Sequence, residues 1–199
     1  MDVVVPFAAS EPKTRLADAL GPDERDDFAR AMLLDVRDVV AATGHEPEVL
    51  STARIDLDPP VLIDDRPLTE AVNARLDPPT AVVMADLALA TPSAVRRLFD
   101  ADGEVVLAPG LGGGTNAAVV RHDEFTFDYH GASIRDHRER ARAVDADLRT
   151  LDSFRLAVDV DEARDLVELL LHGDGRAQRW LRDAGFAVET TDGRVVARR

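Results

Sequence analysis

One lysine stands among 24 basic residues, at position 13 in Ser10-Glu11-Pro12-Lys13-Thr14-Arg15-Leu16. Lys13 and Arg15 flank the hydroxyl of Thr14 just beyond the apolar run Val3-Val4-Val5. There a triphosphate would meet a compact point charge and a planar, bidentate fork. The same stretch also reads as a charged surface loop. Asp86 closes a second apolar run, Ala81-Val82-Val83-Met84-Ala85. A carboxylate at the tip of a buried strand is costly unless it is hydrogen-bonded or bound to a cation. Hard oxygen ligands beside phosphates suit Mg²⁺, with a helix cap or turn aspartate as the plainer alternative. Asp159 and Asp161 form a second acidic strand end, where alternate side chains share one side if the strand persists. Asp161 is equally placed to cap a helix starting at Glu162.

The glycine-rich stretch Gly110-Leu111-Gly112-Gly113-Gly114-Thr115-Asn116 is the remaining candidate. It fits a loose G-x-G-x-x-A, but it leads into a strand rather than a helix, unlike a dinucleotide-binding turn. Consecutive glycines often make only a turn. The attached hydroxyl and amide of Thr115 and Asn116, beside free backbone N–H groups, suit an anionic ligand. Other chemistries are excluded. A P-loop needs Gly-Lys-Ser/Thr, and the one lysine follows Pro12. The five histidines show no tight metal-ligand spacing, and no G-x-S-x-G elbow is present. With no cysteine, a disulfide framework, a thiolate metal site and a cysteine nucleophile are all ruled out.

These residues need elements to hold them. The run at 2–7 predicts a fully buried first strand, and Phe28, Met32, Val36, Val39 and Val40 predict an amphipathic helix over 22–43. Short strands are expected at 49–50 and 61–63, a helix over 68–76 and a buried strand over 80–85. Thr91-Pro92 supplies an N-cap and a first-turn proline for a helix reaching Phe99. Further strands are expected at 105–108, 117–120 and 156–160, and helices over 133–145, 162–171 and 176–184. Asp192-Gly193 centres a closing hairpin over 186–197. Strands alternating with helices imply a mostly parallel sheet covered on both faces. In such a sheet ligands bind beyond the carboxyl ends of the strands, which selects the loop after strand one, Asp86 and the loop from Gly110.

The 199 residues suit one domain, with 45% hydrophobic and 31% charged residues as in a soluble globule. Against those 24 basic residues stand 38 acidic ones, a net charge of −14, which argues against a nucleic-acid binder. No apolar run could span a bilayer, and Met1-Asp2 leads straight into a strand without a signal-peptide pattern, so a cytoplasmic location is expected. Of the acids 27 are Asp, and of the bases 23 are Arg. Such a surface suits a salt-crowded, halophilic cytosol, where screening removes self-repulsion; a codon bias toward Arg is the alternative.

Taken in order, several segments resemble the 2-phospho-L-lactate guanylyltransferase family of deazaflavin coenzyme F-420 biosynthesis, in its haloarchaeal form. They are Val5-Pro6-Phe7 with Lys13-Thr14-Arg15-Leu16, Arg25, Met32-Leu33-Leu34-Asp35-Val36, and Ala85-Asp86-Leu87-Ala88-Leu89. Gly113-Gly114-Thr115-Asn116-Ala117, Tyr129 with Ser133 and His137, and Asp159-Val160-Asp161 continue the pattern. The resemblance covers residues 3 to about 171 and leaves out the tail from Arg176. It departs from the family at Ala88, which replaces a proline, at Leu68-Thr69, which replaces Leu-Asn, and at His130, which replaces a glycine.

The resemblance implies an α/β, single-domain, GT-A-like nucleotidyltransferase over 1–199, with a core at 1–171 and a helix-and-hairpin appendage at 176–199. It implies that GTP and 2-phospho-L-lactate are joined with release of pyrophosphate; the alternatives are a related nucleotidyltransferase using phosphoenolpyruvate or another phosphorylated acid, or a non-catalytic nucleotide-binding subunit. Lys13 and Arg15 would meet the triphosphate, and Asp86 would hold Mg²⁺ with Asp159 or Asp161. Thr115, Asn116 and Ser133 would hold the phosphate and carboxylate of the acid, with Thr14, Gly113, Gly114 and Gly131 as further binding positions. The expected partners are GTP and a small phosphorylated 2-hydroxy acid, within a homodimer, with neither nucleic acid nor membrane.

Overall fold

Strand β1 (Asp2–Phe7) buries Val3, Val4 and Val5 almost completely, because consecutive side chains point to opposite faces of a sheet covered on both sides. The computed structural model describes residues 1–10, 12–57, 61–191 and 193–199. On one side β1 pairs in parallel with β2 (Pro47–Ser51), which pairs in parallel with β3 (Val61–Ile63). On its other side lies β4 (Thr80–Val83), also parallel. Next comes β6 (Thr115–Val120), antiparallel to both β4 and β5 (Val105–Pro109). The edge strand β7 (Leu148–Thr150) runs parallel to β5. The order β3-β2-β1-β4-β6-β5-β7 reverses direction at β1, placing a crevice beyond the carboxyl ends of β1 and β4. The mostly parallel sheet inferred from the alternation is present, with β6 as its antiparallel member.

Each face has its own core. Helix α1 (Pro22–Ala41) places Leu33, Val36 and Val40, and α3 (Pro92–Phe99) places Val95 and Leu98, against Val3, Val5, Val83 and Val106. On the opposite face α2 (Leu68–Asn73) and α4 (Ser133–Ala143) bring Val72, Ile134 and Ala141 against Val4, Val82 and Leu107. The α3 start follows the sequence signal: the Thr91 hydroxyl accepts the Ala94 N–H at 3.2 Å.

A third cluster joins Phe28 and Met32 of α1 to Leu166 and Leu169 of α6 (Asp165–His172) and to Ala177 and Leu181 of α7 (Arg176–Asp183). The first turn of α7 is capped by a residue of α1, since the Asp35 carboxylate accepts the N–H groups of Arg176 at 2.8 Å and Ala177 at 2.9 Å. The tail is thereby packed onto the body. It ends in the antiparallel hairpin of β8 (Ala187–Thr191) and β9 (Arg194–Arg198), whose turn residue Asp192 lies outside the described residues.

Three local expectations are corrected. The strand expected at 156–160 is instead the short helix α5 (Phe154–Ala157) followed by irregular chain. Its backbone turns toward the glycine-rich loop: Ala157 O accepts the Leu111 N–H at 2.9 Å, and Leu156 O accepts from the Asn116 amide at 3.0 Å. The next helix begins at Asp165 rather than Glu162, and Asp165 itself caps the turn by accepting the N–H groups of Asp161 and Glu162. Asp161 is therefore not the cap. Strand β7, which the pattern gave no sign of, is three residues of half-buried or exposed edge.

Candidate active site

The carboxyl edge of the sheet carries two clusters of polar side chains. The first sits at the reversal point. Beyond β1 the chain forms a 3-10 turn, Thr14–Leu16, entered through Lys13 in a left-handed conformation (φ 55°). That backbone places the Lys13 ammonium 2.7 Å from Asp86 Oδ2 and 2.6 Å from Asp161 Oδ1. Asp86 stands three residues past the end of β4, in a segment tied to the acidic loop by Asp86 O accepting the Val160 N–H at 3.2 Å. Burial alone would lower the Lys13 pKa, but the two facing carboxylates outweigh it and hold the ammonium charged, above its ordinary value. Arg15 reaches Asp161 only at 3.6 Å with its side chain 69% exposed, and Thr14 is exposed. Arg15 is thus a rim charge, whereas Lys13 is enclosed.

Asp159 leaves the same loop in another direction, accepting from the Asn116 amide at 3.0 Å. Burial, with Asp86 and Asp161 nearby, raises its pKa against the lowering effect of that amide. Among the described residues no three acidic or histidine groups form a ready-made metal cage, because the Lys13 ammonium sits between Asp86 and Asp161. One observation nevertheless favours a cation. Asp86 Oδ1 is buried without a hydrogen-bond partner, a state that costs free energy until a cation or donor meets it. A buried carboxylate oxygen of this kind suits a hard divalent ion.

Beside the charged cluster lies a cavity of about 310 Å³. Its walls are mainly apolar, with Pro6, Phe7, Leu50, Met84 and Ala85 among them, while Lys13, Asp86 and Asp161 close one end. Thr52, Asp64 and Arg66 also line it. Arg66 donates to both Asp64 carboxylate oxygens, and that contact holds Asp64 down at about 2. The sequence reading missed these three. The signal was available, since they follow the carboxyl ends of β2 and β3, where the same strand-end rule applies.

The second cluster is neutral. The register between β5 and β6 shifts at Ala108/Pro109, so Asn116 is an extra residue on β6. The bulge turns Asn116 toward Asp159 and Leu156, while Thr115 meets α4: its N–H donates to Ser133 Oγ at 3.0 Å, and its hydroxyl lies 2.8 Å from His137 Nδ1. Thr115, Asn116 and Ser133 are each no more than 5% exposed. The glycine-rich loop closes on itself through Gly110 N–H to Gly114 O and Gly113 N–H to Gly110 O. Among the described residues nothing accepts the N–H groups of Gly112 and Gly114. Gly113 has φ 85° and packs near Ala132, and Gly131 lies in the link leading into α4. A side chain at Gly110 would overlap the Asn116 amide, so this glycine is needed for close approach.

The structure therefore gathers Lys13, Asp86 and Asp161 into one contact set. Asp159 joins the second set through Asn116, and Thr115 and Ser133 bond to each other. An enclosed ammonium facing carboxylates, an apolar slot and a neutral, donor-rich loop can together hold a nucleoside triphosphate and a second anion.

Comparison with known proteins places the chain in a family. The family described as "Guanylyl transferase CofC like" matches residues 1–199, including the tail from Arg176 that the sequence resemblance left out. The chain is 63% identical to the 2-phospho-L-lactate guanylyltransferase of Natronomonas pharaonis, over 100% of this chain and 99% of the relative. It is 59% identical to that of Halomicrobium mukohataei, over 100% of both chains. Among solved structures, a Methanothermobacter nucleotidyl transferase superposes with a TM-score of 0.62 at 16% identity, covering 92% of this chain and 98% of the other. A Mycobacterium tuberculosis protein solved in complex with manganese superposes with a TM-score of 0.50 at 20% identity, over 86% of this chain and 99% of the other. These two likenesses concern the fold, whereas the full-length family match fixes the relationship: the chain belongs to the CofC-like guanylyl transferase family.

Proposed function

We propose that this chain joins GTP to 2-phospho-L-lactate, giving lactyl-2-diphospho-5′-guanosine and pyrophosphate on the way to deazaflavin coenzyme F-420. The observation that carries the reading is the enclosed Lys13–Asp86–Asp161 cluster opening onto an apolar cavity at the sheet reversal point. The cavity is apolar enough for a purine, with Asp64 and Arg66 offering an acceptor and donors to its edge.

A phosphate monoester is already an anionic nucleophile near neutral pH, so no strong base is needed. One of its oxygens attacks the α-phosphorus of GTP, and the bond to the bridging oxygen of pyrophosphate breaks. What the protein must supply is alignment and screening of anion against anion. Lys13 turns from its carboxylate partners to the triphosphate, and Arg15 adds charge from the rim. Asp86, with Asp159 or Asp161, would hold Mg²⁺, which would supply charge neutralisation for the phosphates and the leaving group. Thr115, Ser133 and the free N–H groups of the glycine-rich loop receive the phosphate and carboxylate of the acid, with Gly113, Gly114 and Gly131 shaping that loop.

The test is pyrophosphate release by the purified protein in molar KCl and Mg²⁺, with each nucleoside triphosphate paired in turn with 2-phospho-L-lactate and phosphoenolpyruvate. GTP with 2-phospho-L-lactate should be the fastest pair. Faster turnover of another pair, or no turnover with any, overturns the reading.

A further inference from the structure

We propose that His137 is a positioning residue, whose neutral ring fixes the Thr115 hydroxyl as a hydrogen-bond donor to the anionic acid substrate. The inference rests on the reading that this acid binds at the β6–α4 junction, and it assigns a task to a buried group that the reaction leaves unused.

The argument starts from a backbone N–H, which can only donate. His137 Nε2 lies 2.8 Å from the Asp128 N–H and must be the unprotonated, accepting nitrogen. A neutral imidazole then carries its hydrogen on Nδ1, which lies 2.8 Å from Thr115 Oγ1. Thr115 is thus the acceptor in that contact, and its own proton must point elsewhere. Among the described residues no group accepts it. The Ser133 hydroxyl is in the same condition, since its oxygen accepts the Thr115 N–H at 3.0 Å and nothing takes its proton. Two hydroxyls, each already accepting a hydrogen bond on the protein side, keep their protons free to donate side by side. Two such donors suit a carboxylate or phosphate oxygen.

The ring is also held against reorientation. It is fully buried and meets Phe127 at 5.1 Å and Tyr129 at 5.0 Å, both edge-on, with Phe125 at 6.2 Å. Burial first, then the nearby Arg140 guanidinium, pushes its pKa down to about 4, while the Asp128 and Asp136 carboxylates act the other way. The ring therefore stays neutral in the working range and keeps the hydrogen on Nδ1.

The experiment separates the two ring nitrogens. In His137→Gln the side-chain carbonyl can still accept the Asp128 N–H, but the donor to Thr115 is lost. In His137→Asn the amide nitrogen stands in for Nδ1 and keeps that donor. Initial rates are measured with 2-phospho-L-lactate and GTP varied separately, and binding of 2-phospho-L-lactate by calorimetry. His137→Gln should raise KM for 2-phospho-L-lactate about tenfold with KM for GTP little changed, since one hydrogen bond to a charged group is lost. His137→Asn should largely restore it, and adding Thr115→Val to His137→Gln should cause no further loss. An unchanged KM in His137→Gln, equal losses in both variants, or additive loss with Thr115→Val overturns the proposal. Should the histidine variants fail to fold, Thr115→Ser and Thr115→Val decide it: wild-type binding of the acid by Thr115→Val overturns the role. Absence of turnover by the unaltered enzyme would instead defeat the underlying substrate reading.

Discussion

The two polar clusters on the carboxyl edge of the sheet satisfy their groups in opposite ways. At the reversal point, Lys13, Asp86 and Asp161 answer one another's charge, with Arg15 at the rim of Asp161, and Asp161 keeps 35% of its side chain exposed. At the β6–α4 junction, Thr115, Asn116, Ser133 and His137 are neutral, at most 5% exposed, and tied to backbone groups, to each other or, through Asn116, to Asp159. Ion pairs can be traded for a phosphate or a metal ion at little net cost, because the charges merely change partners. Buried neutral bonds cannot be traded without orphaning a group, so they preset geometry. The difference teaches that one cluster is built to rearrange and the other to stay.

The largest expected effect comes from breaking the rearranging half. Asp86→Asn should lower kcat by at least about a hundredfold while the melting temperature hardly moves, because the loss falls on charge stabilisation and not on packing. Steady-state rates at saturating Mg²⁺ with parallel thermal melts check this, and retained activity would remove Asp86 from the site.

The fixed half is probed by pH. The His137 value falls from 6.5 to about 4 on folding, chiefly through burial. Between those values the unfolded chain binds a proton that the folded one refuses, so stability should fall as pH drops through that window. The loss should be at most about 3 kcal/mol, and absent above it. Urea titrations of the wild type and His137→Gln between pH 7 and pH 4.5 isolate the contribution, which should vanish in the variant.

Lys13→Ala should slow turnover and raise KM for GTP, each by about tenfold, since a rearranging cation has lost its charge. Lys13→Arg should recover only part, because a planar fork does not replace a compact ammonium in an enclosed place; full recovery would reduce Lys13 to a surface charge. Last, Asp35→Ala removes the cap of α7 far from both clusters. It should cost about 1–2 kcal/mol in chemical unfolding and leave kcat and KM unchanged.

Much of this was legible in the residues. The apolar runs at β1 and β4, and the rule that ligands gather beyond strand ends, point to Lys13 and Asp86. Thr91-Pro92 announced α3 for a local reason, a cap and a fixed φ. What stayed hidden depended on partners far along the chain. The run Leu156-Ala157-Val158 has strand-like composition, but its carbonyls are taken by the glycine-rich loop and by Asn116, so tertiary bonds override local preference. The β6 bulge is likewise invisible in sequence, and it decides that Thr115 and Asn116 serve different neighbours. Thr52, Asp64 and Arg66 were within reach, since they follow short strands whose carboxyl ends were not weighed.

The Asp35 cap on α7 bears on the order in which the chain can fold. The carboxylate and the N–H groups it receives are separated by 141 and 142 residues, so neither end is complete until almost the whole chain has been made. During synthesis α1 emerges early, with Phe28 and Met32 awaiting partners that include Leu166 and Leu169 of α6 and Ala177 and Leu181 of α7. Closing so long a loop is slow relative to forming local helices. Until α7 docks, part of the α1 face stays open to neighbouring chains, so the cap couples the closure of this cluster to a contact between distant segments.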